Sequence, residues 1–237
     1  MEELGIFCMD RRFNKYIEEN YHDMFVMRNA GANIKPILSE IKKIVREKGI
    51  KKINVFAHTD CGAMGKVISV LKENGTAEEE LSDSLINQFR SVKFSSREEL
   101  EHKNMELQLE ALKKEFPELE VKGELLEANK MGDKKGELEH VLILASQGKP
   151  DYSEIFKQEN LDPFQCYIIQ SPIEAAMPDI RFAVKDLKSE KVIVVTGNGD
   201  NPRDSKRYEE LLKLKLSDLD ASVKRIDIRR VKKLTTG

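Results

Sequence analysis

Short apolar runs alternate with amphipathic stretches along the first quarter of the chain. Residues 4–8 (LGIFC), 23–27 (DMFVM) and 53–57 each have the length and composition of a buried strand, and polar residues follow the first and the third. Residues 36–49 carry an apolar stripe with helical spacing that begins with a proline and ends with a glycine. Strands that alternate with helices predict crossover connections, and hence an α/β fold with a mainly parallel sheet flanked by helices.

The following stretch predicts more helix and then a boundary. Residues 62–73 continue as a helix, and the charged residues 74–114 are helical in character with an incomplete apolar face, which predicts packing at the surface. Strand-like alternation follows at residues 118–128. The turn-forming sequence MGDKKG at residues 131–136 suits the end of a domain.

The remainder of the chain resembles a degenerate repeat of the first part. The segments EHVLILASQGKP, QCYIIQSPIEAAMPDI and SEKVIVVTGNGDNP occur in the same order as ELGIFCMDRRF, DMFVMRNAGANIKPIL and IKKINVFAHTDCGAM. We therefore predict two domains, 1–136 and 137–237, in which the second repeats the α/β unit of the first. Any two α/β units of similar size share such spacing, which leaves chance similarity as the alternative. In the proposed register Cys8 is matched by Ala145, Asp10 by Gln147, His58 by Gly197 and Cys61 by Asp200.

Composition narrows the class of protein. Hydrophobic residues make up 40% and charged residues 35% of the chain, which is typical of a globular protein with a strongly solvated surface. The 40 basic and 42 acidic residues give a formal net charge of -2, so no overall field attracts nucleic acid or an anionic membrane. No apolar run approaches the roughly 20 residues that span a bilayer. We expect a cytoplasmic protein that binds neither nucleic acid nor membrane.

Two of the predicted strand ends carry side chains that bind metals. The sequence CMDRR begins at Cys8, and residues two apart in an extended chain point the same way, so Cys8, Asp10 and Arg12 can face one cavity. The sequence HTDCG begins at His58 and contains Cys61, at a turn from strand to helix where open α/β sheets place their ligands. Two thiolates and one imidazole suit zinc and leave its fourth position open.

The motifs C-x-D-x-R, R-N-A-G and H-x-x-C-G, in this order, resemble the signature of β-class carbonic anhydrases. The similarity covers the first half of the chain. It implies one Zn2+ ion bound by Cys8, His58 and Cys61, with Asp10 and Arg12 as a catalytic pair beside it. It also implies a substrate pocket formed by Asn29, Ala30, Gly31 and Gly62.

The resemblance implies an enzyme that reversibly hydrates carbon dioxide to bicarbonate through a zinc-bound hydroxide. Asp10 would orient the hydroxide by accepting its proton, and Arg12 would hold Asp10 through a charge-assisted pair. If Arg12 released it, Asp10 could ligate the zinc and close the site. The alternatives are hydrolysis of carbonyl sulfide or carbon disulfide by the same hydroxide, and a non-catalytic protein that keeps the fold and the zinc.

Three features depart from the family pattern. Arg11 stands where a small residue is usual, and Ala32 replaces the usual asparagine after the glycine. We also expect this protein to lack the N-terminal helical arm of the family. The family is built on dimers whose active sites lie near the subunit interface. We therefore predict a tandem pseudo-dimer in which the second half supplies that surface, and we expect that two such chains can form a homodimer.

Other candidate groups are assigned no role. Cys166 lies in an apolar run and is predicted to be a small core residue. The sequence at residues 197–199 (GNG) predicts a tight turn rather than a phosphate site. Residues 224–233 (KRIDIRRVKK) alternate like a charged edge strand. Three histidines in charged or irregular segments are predicted to be solvated: His22, His102 and His140.

Overall fold

The computed structural model describes residues 2–132, 139–145, 147–197, 202–218 and 221–228. These residues form two four-stranded parallel sheets with helices packed on them, so the predicted α/β class is confirmed. The two sheets fit the predicted pseudo-dimer. The domain boundary predicted after residue 136 falls outside the described residues, and the division stays a prediction. No helix in the described ranges is long and apolar enough to cross a bilayer.

In the first sheet, the strand that comes first in the sequence lies between the second and the third. Its order is β2-β1-β3-β4, with every neighbouring pair parallel. The crossover connections run through helices, as the alternation of apolar runs predicted. Its strands are β1 (Glu3–Cys8), β2 (Phe25–Asn29), β3 (Lys52–His58) and β4 (Glu120–Leu126), and its helices are α1 (Asn14–Asn20), α2 (Leu38–Lys48), α3 (Gly62–Lys72), α4 (Glu79–Ser84) and α5 (Arg97–Glu115).

The second sheet repeats this arrangement. Its order is β6-β5-β7-β8, so again the first strand pairs with the second and third, and the fourth lies outside the third. Residues 222–228 therefore form an edge strand, as their charge pattern predicted. The strands are β5 (His140–Leu144), β6 (Cys166–Ile169), β7 (Ser189–Gly197) and β8 (Ser222–Ile228), and the helices are α6 (Tyr152–Glu159), α7 (Ile173–Lys185) and α8 (Pro202–Lys215).

The two halves share a core and a backbone junction. Two of the apolar clusters contain side chains from both halves, such as Phe13 and Val26 beside Ile143 and Ile168. At the junction Arg28 and Gln170 exchange backbone hydrogen bonds of 3.1 and 2.9 Å in an antiparallel bridge. The Arg28 side chain is fully buried there and donates to the carbonyls of Cys8 (3.1 Å) and Asp10 (3.0 Å) and to the side chain of Asn14 (2.8 Å).

Helix α5 corrects the expectation of surface packing over residues 74–114. Leu100 and Leu112 are buried, as the apolar face required. The polar residues Glu101, Asn104 and Gln108 are buried too, because they bond the loops at the end of the first sheet. Asn104 donates to the carbonyl of Gly31, for example, at 2.9 Å. These buried polar positions explain why the apolar face looked incomplete in the sequence.

Two further expectations have clear outcomes. Cys166 is fully buried in β6, which confirms it as a core residue, and burial raises the pKa of its thiol to about 12. The expectation of a solvated His140 is wrong, because His140 begins β5 and is half-buried. Its Nδ1 lies 2.8 Å from the carbonyl oxygen of Leu187, and its ring meets that of Tyr167 edge-on. Residues 198–199 and 229–233 lie outside the described residues.

Candidate metal centre

Three side chains of the kinds that bind metals meet at the carboxyl end of the first sheet. Cys8 is the last residue of β1, His58 is the last of the adjacent strand β3, and Cys61 precedes the first turn of α3. Parallel pairing brings the two strand ends side by side. The sulfur atoms of Cys8 and Cys61 lie 4.0 Å apart, and the ligand atoms of all three residues lie within 4.8 Å of one another. Each residue is at most 5% exposed.

The hydrogen bonds of His58 leave one ring nitrogen for a metal. Its Nδ1 lies 2.8 Å from the carbonyl oxygen of Thr59, which can only accept, so Nδ1 carries the proton. Nε2 is buried and has no hydrogen-bond partner among the described residues. Buried polar atoms are rarely left unsatisfied, and a ligating histidine typically donates its other N–H to a carbonyl. Two thiols and this nitrogen form a donor set that fits zinc.

The three side chains shift one another's pKa values. The hydrogen bond between the thiols lowers the pKa of Cys8 well below its ordinary value and raises the pKa of Cys61 well above it. Burial lowers the pKa of His58, but the neighbouring Cys8 outweighs it, so the pKa of His58 is raised overall. A metal that binds here displaces these protons, which makes its affinity depend on pH.

Asp10 and Arg12 form a forked pair beside the three ligands. Nε and Nη2 of Arg12 donate to the two carboxylate oxygens of Asp10 at 3.0 and 2.7 Å. Burial alone raises the pKa of Asp10, but the hydrogen bonds from Arg12 hold that pKa below its ordinary value. Oδ2 of Asp10 lies 3.9 Å from Nε2 of His58. An ionised carboxylate therefore stands beside the group of Cys8, His58 and Cys61.

The R-N-A-G loop contributes to the site in two ways. Ala30 of this loop lines the cavity, and so does Gly62 at the start of α3. Asn29 and Gly31 are not among the residues that line it. The reason is that the Asn29 side chain exchanges two hydrogen bonds with the backbone of Asn33, while the N–H of Gly31 donates to the sulfur of Cys8 at 3.4 Å.

The cavity in front of the ligands has a volume of about 260 Å³ and two different walls. The first half supplies Cys8 and a polar rim of aspartate and arginine side chains. The second half supplies Tyr167, Phe182 and Leu187. Arg11 reaches across to the second half, where its Nη1 donates to the carbonyl of Phe164 at 2.7 Å. A large side chain at position 11 therefore fits this chain because it contacts the second half.

A family model described as carbonic anhydrase matches residues 4–131, which is more than half of the chain. The chain belongs to the β-carbonic anhydrase family.

Solved structures of β-carbonic anhydrases resemble about half of the chain. One of the two tetrameric enzymes from the ascomycete Sordaria macrospora is 21% identical over 55% of this chain and 78% of that one, with a TM-score of 0.45. The β-carbonic anhydrase CcaA is 22% identical over 55% of this chain and 76% of that one, with a TM-score of 0.40. CafA of Aspergillus fumigatus is 23% identical over 55% of this chain and 73% of that one, with a TM-score of 0.39. No curated protein matches the chain.

Several residues around this β-carbonic anhydrase site were missed from the sequence. Asp60 and Arg97 line the cavity, and Glu101 bonds the backbone of Cys61. Asp60 stands inside the H-x-x-C-G motif, so its position was a usable signal. Arg97 and Glu101 lie in a long charged stretch where nothing distinguishes them from solvated helix residues. Contacts across more than 100 residues, such as Phe182 at the cavity wall, carry no local signal.

A buried carboxyl group of the second half also approaches the site. Asp179 on α7 is 5% exposed and accepts a hydrogen bond from the N–H of Ala30 at 3.3 Å. Burial raises the pKa of Asp179 to about 7, and the bond from Ala30 offsets only part of that effect. The loop after β2 is thus attached to a group whose charge changes near neutral pH.

Proposed function

We propose that this β-carbonic anhydrase family member binds one zinc ion through Cys8, His58 and Cys61 and reversibly hydrates carbon dioxide to bicarbonate. One observation carries the proposal: the unpartnered Nε2 of His58 is buried between two thiols and beside an ionised carboxylate. Zinc with three protein ligands keeps a fourth position for a reactant.

Zinc bound here would lower the pKa of a water molecule and supply a nucleophile near neutral pH. The chain's own contribution begins with Asp10, whose Oδ2 faces the ligand group and can accept a hydrogen bond that orients the nucleophile. Arg12 holds both carboxylate oxygens and so keeps Asp10 ionised and in place. Orientation by a fixed acceptor is needed because two thiolates reduce the net charge at the metal.

The cavity suits a small apolar reactant. Met9, Ala30, Phe182 and Leu187 present apolar surface close to Cys8. Carbon dioxide has no net charge or dipole and is held mainly by such surface, whereas bicarbonate leaves past the arginines of the rim. Apolar walls also exclude bulk water from the reacting centre.

The same apolar wall also fits carbonyl sulfide and carbon disulfide, which are linear electrophiles of similar size. Hydrolysis of these molecules is the second candidate activity. A non-catalytic zinc protein is the third, and ligation of the zinc by Asp10 would close its site. The hydrogen bonds that Arg12 donates to both carboxylate oxygens of Asp10 favour the open arrangement.

Stopped-flow measurement of hydration by the zinc-loaded protein, from neutral to mildly alkaline pH, tests the proposal. We expect saturable hydration that requires zinc and is faster than hydrolysis of carbonyl sulfide or carbon disulfide by the same preparation. Zinc-loaded protein that accelerates none of the three reactions would contradict it. Faster hydrolysis of either sulfur compound would favour the second candidate.

Two further parts of the proposal concern the protein's setting. A reducing, cytoplasmic location suits the site, because Cys8 and Cys61 must stay reduced to bind zinc. A homodimer of pseudo-dimeric chains is the proposed assembly, and sedimentation analysis of the purified protein tests it.

A further inference from the structure

The guanidinium group of Arg12 is held from two sides. One side is the fork with Asp10 described above. On the other side Nη1 donates to the Asp60 carboxylate at 2.8 Å, and Nη2 donates to the Asp60 carbonyl at 2.8 Å. Asp60 has a left-handed backbone with φ of 54°, a conformation that residues other than glycine adopt infrequently. This backbone aims both the carbonyl and the side chain of Asp60 at Arg12.

Arg97 on helix α5 holds Asp60 in turn. Its Nη1 lies 3.0 Å from the Asp60 carboxylate, its Nη2 donates to the carbonyl of Cys61 at 2.6 Å, and its Nε donates to Glu101 at 3.2 Å. Glu101 lies one helical turn further along α5, and its Oε1 also accepts the N–H of Cys61 at 2.8 Å. The two residues of α5 therefore bond the backbone on both sides of a metal-binding cysteine.

An ordinary surface ion pair does not explain this arrangement. The side chain of Asp60 is 64% exposed and that of Arg97 is 39% exposed, so their direct attraction is weak. Glu101, in contrast, is 2% exposed, and a buried carboxyl group is retained only where it is paired and hydrogen-bonded. The contacts converge on two residues of the site. Arg12 is the partner of Asp10, and Cys61 is a proposed metal ligand. Their effect is to fix the site geometry rather than to stabilise the surface.

We propose that Asp60, Arg97 and Glu101 are positioning residues that keep Arg12 on Asp10 and thereby keep Asp10 off the metal. The inference rests on the proposed zinc site. Oδ2 of Asp10 already lies 3.9 Å from the nitrogen of His58, so a small shift of the carboxylate would bring it into the ligand group. Loosening Asp60 or Arg97 frees Arg12 to turn away from Asp10, and the released carboxylate can then move toward the metal. The fourth position is then occupied by protein.

Cobalt substitution tests this inference with a signal that does not depend on turnover, because the visible spectrum of Co2+ reports its ligand set. The variants are Asp60→Asn and Arg97→Gln, both at exposed side chains where folding should be preserved. Matched controls are Asp83→Asn and Arg90→Gln, which change exposed residues that bond Asn87 instead. Circular dichroism checks the fold of all four variants.

We expect both test variants to keep one cobalt per chain and to show a spectrum altered toward a fourth protein ligand. The zinc forms should reach half-maximal hydration about one pH unit, or tenfold in proton concentration, above wild type, because Asp10 then competes with solvent for the metal. The controls should match wild type in spectrum and pH profile. Wild-type spectra and profiles in both test variants would overturn the inference alone. Wild-type protein that retains no cobalt would overturn the proposed function.

Discussion

The two sheets have the same strand order but carry different side chains at their carboxyl ends. At the first sheet, Cys8 and His58 end neighbouring strands and meet Cys61. At the second, the equivalent position after β5 is Ala145, which lines a cavity of about 360 Å³ among mostly apolar side chains. Gly197 ends β7 as His58 ends β3. Strand order sets where a site can form, and the residues at the strand ends decide whether it does.

The two regions also differ at Asp10, which follows β1, and Gln147, which follows β5, because these side chains have different hydrogen-bond partners. Asp10 is held by Arg12 of its own half. Gln147, its match in the proposed register, donates to Glu40 of the other half at 3.0 Å. Each cavity is covered by a helix of the opposite half, because Phe182 of α7 lines the first and Glu40 of α2 lines the second. The second region thus keeps the cross-half packing and lacks the acceptor that the proposed chemistry needs.

The largest expected effect is on zinc content, which should depend on a cysteine of the first half and not on a cysteine of the second. Cys61→Ala removes a ligand and should lower zinc from about one ion per chain to nearly none, because three ligands are the minimum for this type of site. Cys166→Ala removes a buried cysteine of the second half and should keep the zinc. Metal analysis of both purified variants decides this. A wild-type ratio near two, or loss of zinc from Cys166→Ala, would contradict the assignment of the metal to the first sheet.

The second prediction compares the matched positions 10 and 147. Asp10→Asn keeps the shape of the side chain and all three zinc ligands, so zinc should stay bound while kcat/KM for hydration falls about a hundredfold or more. Gln147→Ala should leave hydration unchanged. Stopped-flow assays with zinc content measured in parallel check both. Wild-type hydration by Asp10→Asn would exclude the role proposed for Asp10, and loss of zinc would identify Asp10 as a ligand.

The third prediction concerns the buried carboxyl group that the second half places at the first site. The pKa of Asp179 is raised to about 7 from an ordinary value of 3.8, so the folded state holds this proton more tightly than the unfolded state. Its contribution to stability is therefore greatest below the unfolded value and falls as the pH rises toward 7. Asp179→Asn should raise the free energy of unfolding by about 4 kcal/mol at pH 8 relative to wild type, with little gain at pH 4.

Urea unfolding at both pH values measures this effect. Glu174→Gln changes an exposed carboxylate on the same helix and serves as the control. An equal effect of Asp179→Asn at the two pH values would show that its charge is not the cause.

The smallest expected effect tests the wall contributed by the second half. Leu187→Ala enlarges the cavity without touching a ligand and should raise KM for carbon dioxide about threefold with kcat nearly unchanged. Leu214→Ala removes an exposed side chain of α8 and should change neither constant. A fall in kcat for Leu187→Ala as large as that for Asp10→Asn would mean that the wall acts on the chemistry itself.

The strands, and the meeting of Cys8 with His58 and Cys61, could be predicted from the sequence because their signals are local. Cys8, Asp10 and Arg12 lie within five residues, and short apolar runs mark the strands that carry them. Glu101 could not be predicted, because a buried polar residue on a charged helix has the pattern of an exposed one. Phe182 and Tyr167 reach the cavity through packing between halves, which no periodicity encodes. The residues that shape the site are therefore harder to find than the residues that form it.

The buried Arg28 makes the two halves unequal in their tolerance of sequence change. Its guanidinium group bonds the carbonyls on both sides of Met9, and its backbone is paired with Gln170 of the second half. Substitutions at Ala145 or Gln147 touch no proposed ligand, so natural variation can accumulate there. Removal of the strand end around Gln170 would instead expose Arg28 and release the segment that carries Cys8 and Asp10. The strand end at Gln170 thus contributes to the position of two proposed site residues without supplying a ligand itself.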